Sequence, residues 1–453
     1  MPAGSSQAPA LAGTWCRLHP LSPVARIGIT LGAVLVGGVS WVAGDQSSSG
    51  RTAQTVVIAA AAVLGVTAAV VSWLVTRWRV VGDELQIDTG LVYRQSLRFP
   101  LRRVQAVDVV APLTARVLGL AEVRIVLAGT GHHQHGRLAY LSNQDAALVR
   151  AQLLALAHGL SPETPEPPAL PLFRVDNGRL ITASLLRGLW LIPLLLLAVA
   201  AAVAAINPGA PAGGAHPDTT DTVASLISAA VTAVLAIGLE AARAVNGDFD
   251  FTVGEAPDGL RLHRGLLQKR HETVPYGRIQ AVRLLQPLLW RPFGWARVEL
   301  DVARQPEARR QGEARQLAHL LAPVATLEQA RWLIGRLAPG VPAPLTRSGA
   351  PPRRAILRAP LAYHYLSIWH DGRWLVTQTG RLRPALVIVP LEKAQSIRLE
   401  SGPLLRALRL ANVRIDTAGR RWVAEALCRD EGEATLLVEQ LGGLARQARR
   451  LSW

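Results

Sequence analysis

Cysteine, lysine and aromatic residues are scarce in this 453-residue chain, which has two Cys, one Met, 5% aromatics and only two Lys, Lys269 and Lys393. Two cysteines, Cys16 and Cys428, cannot staple a disulfide scaffold, and without a CxxC pair the usual structural-zinc frameworks are excluded. The P-loop, the dinucleotide fingerprint, the nucleophile elbow and HExxH are missing too. Paired carboxylates occur at turns, Asp83-Glu84 and Asp248 with Asp250, where turn and cap chemistry accounts for them. General acid–base catalysis needs tuned groups gathered in a cleft, and no such cluster stands out. The chain is therefore expected to be neither an enzyme nor a cofactor carrier.

What is abundant is arginine and apolar sequence. Lys+Arg number 49 against 32 Asp+Glu, a net charge of +17. Five Asn beside heavy Ala and Arg use indicate a coding bias behind part of that excess. Half of the residues are hydrophobic and the mean hydropathy is +0.23, with the apolar residues gathered in blocks. Stretches 27–43, 52–76, 188–206 and 222–239 carry no charge, and a bilayer is crossed by ~20 apolar residues. Short polar links, 44–51 and 207–221, make each pair a transmembrane hairpin. Pro193 is tolerable inside such a span. The first stretch has no clear cleavage site, so a retained anchor is expected. Arg17, Arg26, Arg77, Arg79, Arg187 and Arg243 lie on one side and Arg51 alone on the other, which places both termini in the cytoplasm of an integral cytoplasmic-membrane protein. Trp15, Trp41, Trp73, Trp78 and Trp190 near span ends suit interfacial anchors, and Trp290 is expected to stand exposed in a turn.

Between and after the apolar blocks lies an internal repeat. Residues 90–128, 265–303 and 380–418 align without a gap over 39 positions. Columns identical in all three copies include Gly90/Gly265/Gly380, Pro100/Pro275/Pro390, Gln105/Gln280/Gln395, Arg116/Arg291/Arg406, Ala121/Ala296/Ala411 and Val123/Val298/Val413. A further column, Arg103/Arg278/Lys393, is always basic. Alternating apolar residues in ELQIDTG, SLRFP, VQAVDVV, AEVRIVL and RLAYL predict short strands. An amphipathic stretch then closes each copy, at 142–160, 326–337 and 433–451. Short twisted strands sealed by one helix describe a small β-barrel or sandwich. The expected order is an N-terminal segment 1–26, hairpin 27–76, unit 77–158, linker 159–187, hairpin 188–244, unit 245–338, Pro-rich linker 339–360 and unit 361–453.

The turn Gly, the Pro ten residues on, the basic-x-Gln at 103–105 and the Arg-x-x-Gly-Leu-Ala-x-Val string at 116–123 resemble the bacterial pleckstrin-homology domain of YdbS/YdbT-type membrane proteins. The resemblance covers the three units and the hairpins. It implies pleckstrin-homology-like (PH-like) β-domains, each closed by a C-terminal helix, carried on α-helical membrane hairpins. The third copy departs from it with Arg409 in place of Gly119 and Gly294, and it has no hairpin of its own. Lipid-binding versions of the fold hold inositol phosphates with basic residues in the first β-hairpin. Here the matching turns read VGDE, EAPDG and HDGR, two of them acidic, which argues against such capture.

Binding rather than chemistry is thus the expected role. Arg103, Arg278, Lys393, Arg116, Arg291 and Arg406 are candidate phosphate or partner contacts, with salt bridging inside each barrel as the alternative. His132, His133 and His135 are weak metal candidates in a hairpin tip, and no metal is expected. Basic residues outnumber acidic ones 10 to 6 in 77–158, 14 to 10 in 245–338 and 18 to 9 in 347–453. They are dispersed and lack interleaved aromatics, so nucleic acid is not an expected partner. Expected partners are anionic lipids of the cytoplasmic leaflet and a protein partner or a homo-oligomer. The reading is a protein-interaction, membrane-organising scaffold. An anionic-lipid-binding or ligand-sensing module is the alternative, ahead of a transporter component or an enzyme.

Overall fold

The computed structural model of the chain describes residues 13–25, 48–90, 95–127, 136–157, 159–164, 166–189, 219–303, 319–342, 349–419 and 422–451. The first unit comprises β1 (Cys16–Arg17), α1 (Ser48–Val75), β2 (Arg77–Val81), β3 (Glu84–Thr89), β4 (Gln95–Pro100), β5 (Val104–Ala111), α2 (Leu113–Val117), β6 (Leu120–Leu127), β7 (Gly136–Ser142) and α3 (Asn143–Ala157). The second runs through β8 (Leu170–Arg174), α4 (Asn177–Leu189), α5 (Thr219–Asp248), β9 (Thr252–Ala256), β10 (Gly259–Arg264), β11 (Lys269–Val274), β12 (Ile279–Leu285), β13 (Trp295–Val302), β14 (His319–Thr326) and α6 (Leu327–Leu337). The third is β15 (Ser367–His370), β16 (Trp374–Thr379), β17 (Ala385–Pro390), β18 (Ala394–Glu400), α7 (Pro403–Ala407), β19 (Leu410–Thr417), β20 (Ala424–Asp430) and α8 (Glu431–Leu451).

The repeated columns mark the places where this chain path departs from regular strand. Gly90, Gly265 and Gly380 turn with φ of 92°, 109° and 87°, and a Cβ on Gly265 would lie 1.9 Å from the Gln268 carbonyl oxygen. Pro100, Pro275 and Pro390, at φ −60°, −60° and −65°, each start a 3-10 turn: Leu101–Arg103, Tyr276–Arg278 and Leu391–Lys393. The repeated Gln follows at a bulge, where pairing skips between Val104 and Ala106, Ile279 and Ala281, and Ala394 and Ser396. A second bulge separates Ala121 from Val123, Ala296 from Val298, and Ala411 from Val413, all buried.

Gly119 and Gly294 take left-handed φ of 69° and 62°, and Arg409 sits at the same place with φ 51°. A non-glycine residue held there costs of order 1 kcal/mol. Arg409→Gly is therefore expected to stabilise the chain by about 1 kcal/mol, read as a raised midpoint in urea unfolding. An unchanged or lowered midpoint would count against this account of the turn.

The units are not separate beads. Each contributes an N-terminal and a C-terminal half-sheet, and halves of successive units fuse. The sheets run β1-β2-β3-β4, then β7-β6-β5-β11-β10-β9-β8, then β14-β13-β12-β17-β16-β15, and last β18-β19-β20. Cores are correspondingly knitted: Trp374, Val376 and Ile388 of the third unit join the core of the second, while Ala281 of β12 joins the core of the third.

The membrane expectation is corrected. Among the described residues no helix is long and apolar enough to cross a membrane, so four transmembrane helices, α-helical membrane hairpins and an integral cytoplasmic-membrane location are not supported. Stretch 27–43 and most of 188–206 lie outside the described residues. The described residues of blocks 188–206 and 222–239 belong to helices that run beyond the apolar stretch. Residues 188–189 end the amphipathic α4, which buries Leu180, Ala183 and Gly188. In α5 the helix continues past the apolar block through Glu240, Arg243 and Asp248 into the second unit. Ile237 of α5 lies so close to α4 that a Cβ on Gly188 would be 2.7 Å from its side chain. Leu64, Val234 and Leu235 remain exposed on α1 and α5.

Trp290 is also placed differently from expectation. It is 2% exposed, and its indole N–H donates to the Ala183 carbonyl of α4 at 3.1 Å. The segment 159–187, read from its composition as a linker, supplies β8 and most of α4, and α4 is what covers this ring.

Candidate interaction site at the unit junctions

The two sheet fusions share one register. At the first, β5 meets β11 antiparallel with Val109 opposite His271 and Val110 opposite Arg270. At the second, β12 meets β17 with Leu284 opposite Leu386 and Leu285 opposite Ala385. Val109 and Leu284 occupy one column of the repeat, and His271 and Leu386 another, so an identical strand pairing is used twice.

The repeated arginine reads the neighbouring unit at both fusions. Arg116 donates to the carbonyl of Leu266, and Arg291 donates to the carbonyl of Arg381, each acceptor being the residue after the turn glycine of the next unit. The short segments that present these arginines, α2 and the 3-10 helix Leu288–Phe293, follow directly on the fused strands. Arg291 also lies over the Tyr365 ring, 5.6 Å from its centroid. Beside it is a cavity of about 230 Å³ lined by Leu284, Gln286, Leu327, Tyr365 and Leu386. Arg406, third in the column, is exposed and its side chain has no hydrogen bond or ion pair among the described residues.

The other basic column is put to three uses. Arg103 is exposed on its 3-10 turn. Arg278 donates to the Ala303 carbonyl at 3.1 Å, and burial lowers its pKa, partly offset by Asp108. Lys393 pairs with the adjacent Glu392 at 3.3 Å. These six side chains are not gathered around one anion site. His132, His133 and His135 lie outside the described residues, and among the described residues no group of three His, Cys, Asp or Glu is placed to hold a metal.

Composition alone did not single out the ion cluster at the first junction. Glu166 accepts from Arg150 of α3 and forms an ion pair with Arg261 of β10, each at 3.1 Å, with both arginine side chains 9% exposed. Arg150 also donates to the Thr273 hydroxyl of β11 at 3.1 Å, and Arg261 to the Pro167 carbonyl at 2.7 Å. Asp108 of β5 accepts from the Thr273 backbone N–H at 3.2 Å. The available signal was a pair of glutamates, Glu163 and Glu166, inside the Pro-rich run SPETPEPPAL, which reads as a solvated linker until its neighbours are known.

Beside this cluster, His263 and His271 face each other across β10 and β11, with ring centroids 4.0 Å apart and Nδ1 of His271 3.3 Å from Nε2 of His263. Burial, then His263, Arg150 and Lys269, push His271 down to about 4 from the usual 6.5. Burial and Arg150 lower His263 as well. A depressed histidine leaves the unfolded chain binding protons that the folded chain refuses. The contribution is therefore whole above pH 6.5, is lost as pH falls from 6.5 to about 4, and levels off below that. Thermal melts across this window should show the wild type losing more stability than His271→Gln; parallel pH profiles would sink the assignment.

A family model of the bacterial PH domain matches the chain three times, over residues 27–157, 191–325 and 322–444. No curated protein and no solved structure matches it.

Proposed function

Because the chain belongs to the bacterial PH domain family, we propose that it is a non-enzymatic scaffold whose PH-like units hold protein partners. PH-like domains make the chain an interaction module for protein or lipid; the choice of protein rests on one observation. Its units already bind polypeptide backbone, each fusion adding a strand in the same register and closing with an arginine on a main-chain carbonyl. A lipid phosphate would instead call for converging cations, and Arg103, Arg278 and Lys393 go to three different environments.

Crosslinking of the full chain in its native cell, followed by affinity isolation, tests this. The expected result is a polypeptide bound at fixed stoichiometry. Recovery of the chain without any such polypeptide, with salt-sensitive flotation on anionic vesicles, would replace the scaffold by a lipid-binding module.

A further inference from the structure

We propose that copies of this chain join head to tail, β18 of one copy adding to β4 of the next in the register of the two internal junctions. The inference rests on the protein-interaction reading above and names the chain itself as a partner. Its carrying observation is that the series of fusions stops with both mating edges present. Among the described residues, strands β5 and β12 are each covered by the following unit, whereas β18, their counterpart, pairs only with β19. Strands β11 and β17 are each covered by the preceding unit, whereas β4, their counterpart, pairs among the described residues only with β3. The chain thus carries both halves of a junction it builds twice.

The side chains agree. Leu399, in the column of Leu284, is 44% exposed, against 6% for Leu284 within its junction. Arg406 is exposed and without a partner among the described residues, whereas Arg116 and Arg291 are engaged. At the first junction the closing helix reaches the added strand through Arg150 and Thr273. Between β18 and α8 there is instead an open cleft of about 440 Å³, lined by Ile397, Val438, Ala445 and Arg446.

Carrying the register forward sets Glu400 opposite Gln95, Leu399 opposite Ser96, Arg398 opposite Leu97 and Ile397 opposite Arg98, with no like charges directly opposed. The charges of β18 are already bound within its own sheet. Arg398 Nε donates to Asp416 at 2.7 Å, and Arg414 lies 3.9 Å from Glu400. Charged residues on an edge moderate its pairing, so association should depend on concentration rather than run to completion. Such a contact is heterologous and propagates into rings or filaments instead of stopping at two. Both terminal units are net basic, so salt should strengthen assembly by screening their repulsion, opposite to its effect on lipid binding.

The test uses backbone N–H groups that point out of the edges. Across the second junction Gln286 N–H donates to Pro384, so by antiparallel alternation Leu284 also points its N–H at β17. Leu399 and Ser96 then present theirs to solvent. Leu399→Pro and Ser96→Pro each delete one mating donor on an edge strand, where proline is tolerated.

Sedimentation velocity of the full chain is expected to show a weight-average mass that rises beyond a dimer with concentration and with salt. Each variant alone should sediment as one chain, and an equimolar mixture should form one-to-one pairs, since each variant keeps the end the other lacks. If thermal melting shows that a proline variant does not fold, Leu399→Lys and Ser96→Lys take its place. A wild type that stays monomeric at every concentration and salt, or variants that assemble as it does, overturns the proposal. The scaffold reading fails separately, in the crosslinking experiment, if no other polypeptide is held.

Discussion

Glu166→Ala is expected to lower the stability of the chain by about 3–5 kcal/mol, the cost of leaving buried charges without their partner. The carboxylate lies between the guanidinium groups of Arg150 and Arg261, each 9% exposed and each 3.1 Å away. Alanine would leave two buried cations facing each other. Arg261 would keep Asp258 at 3.2 Å, but the only carboxylate bonded to Arg150 among the described residues would be gone. Since α3 belongs to the first unit and β10 to the second, the loss should fall on their coupling. Denaturant unfolding monitored by two probes should split into two transitions. For comparison, Asp250→Asn removes an exposed pair with Arg174 (75% and 55% exposed) and should shift stability by no more than about 1 kcal/mol. If both variants unfold alike, the bridging role of Glu166 is wrong.

Trp290→Ala should have an effect of similar size, about 3–5 kcal/mol, through loss of a large core side chain. The ring is 2% exposed, packs in the core of the second unit and ties α4 to it through the Ala183 carbonyl. Trp290→Phe retains much of the contact while deleting the donor, so it isolates the hydrogen bond at about 1 kcal/mol. Urea unfolding with near-ultraviolet circular dichroism measures both. A loss under about 1 kcal/mol for the alanine variant would mean that α4 is not held there.

How far these features were legible depends on the range of the forces behind them. The turn glycine must reach positive φ within four residues, and the proline starts a 3-10 turn immediately after itself; demands this local leave columns that a single chain displays by repeating them. The Ala and Val beside the second bulge are buried in all three units for the same reason. By contrast, the Arg116/Arg291/Arg406 column announced that an arginine was wanted but not for what. Its acceptor lies 150 residues away in one unit and 90 in the next.

The apolar blocks misled for a related reason. A hydropathy window reports that a face is apolar, not what the helix continues into or packs on. In α4 the apparent span at 188 is the last turn of a helix that already packs on Trp290 through Ala183, and in α5 the helix runs on through Glu240 and Arg243. Glu166 was hidden because a carboxylate in a Pro-rich run looks solvated unless two guanidinium groups are known to close over it.

By itself the sequence determined the threefold unit, its PH-like character and the repeated turn glycine and proline, because those follow from short-range backbone sterics and from the apolar alternation of short strands. Only the tertiary structure decided that the units share sheets, that one arginine column closes each fusion and that, among the described residues, both ends of the series stay open. Pairing between strands some 160 residues apart is set by edges meeting in space, and no local propensity encodes it.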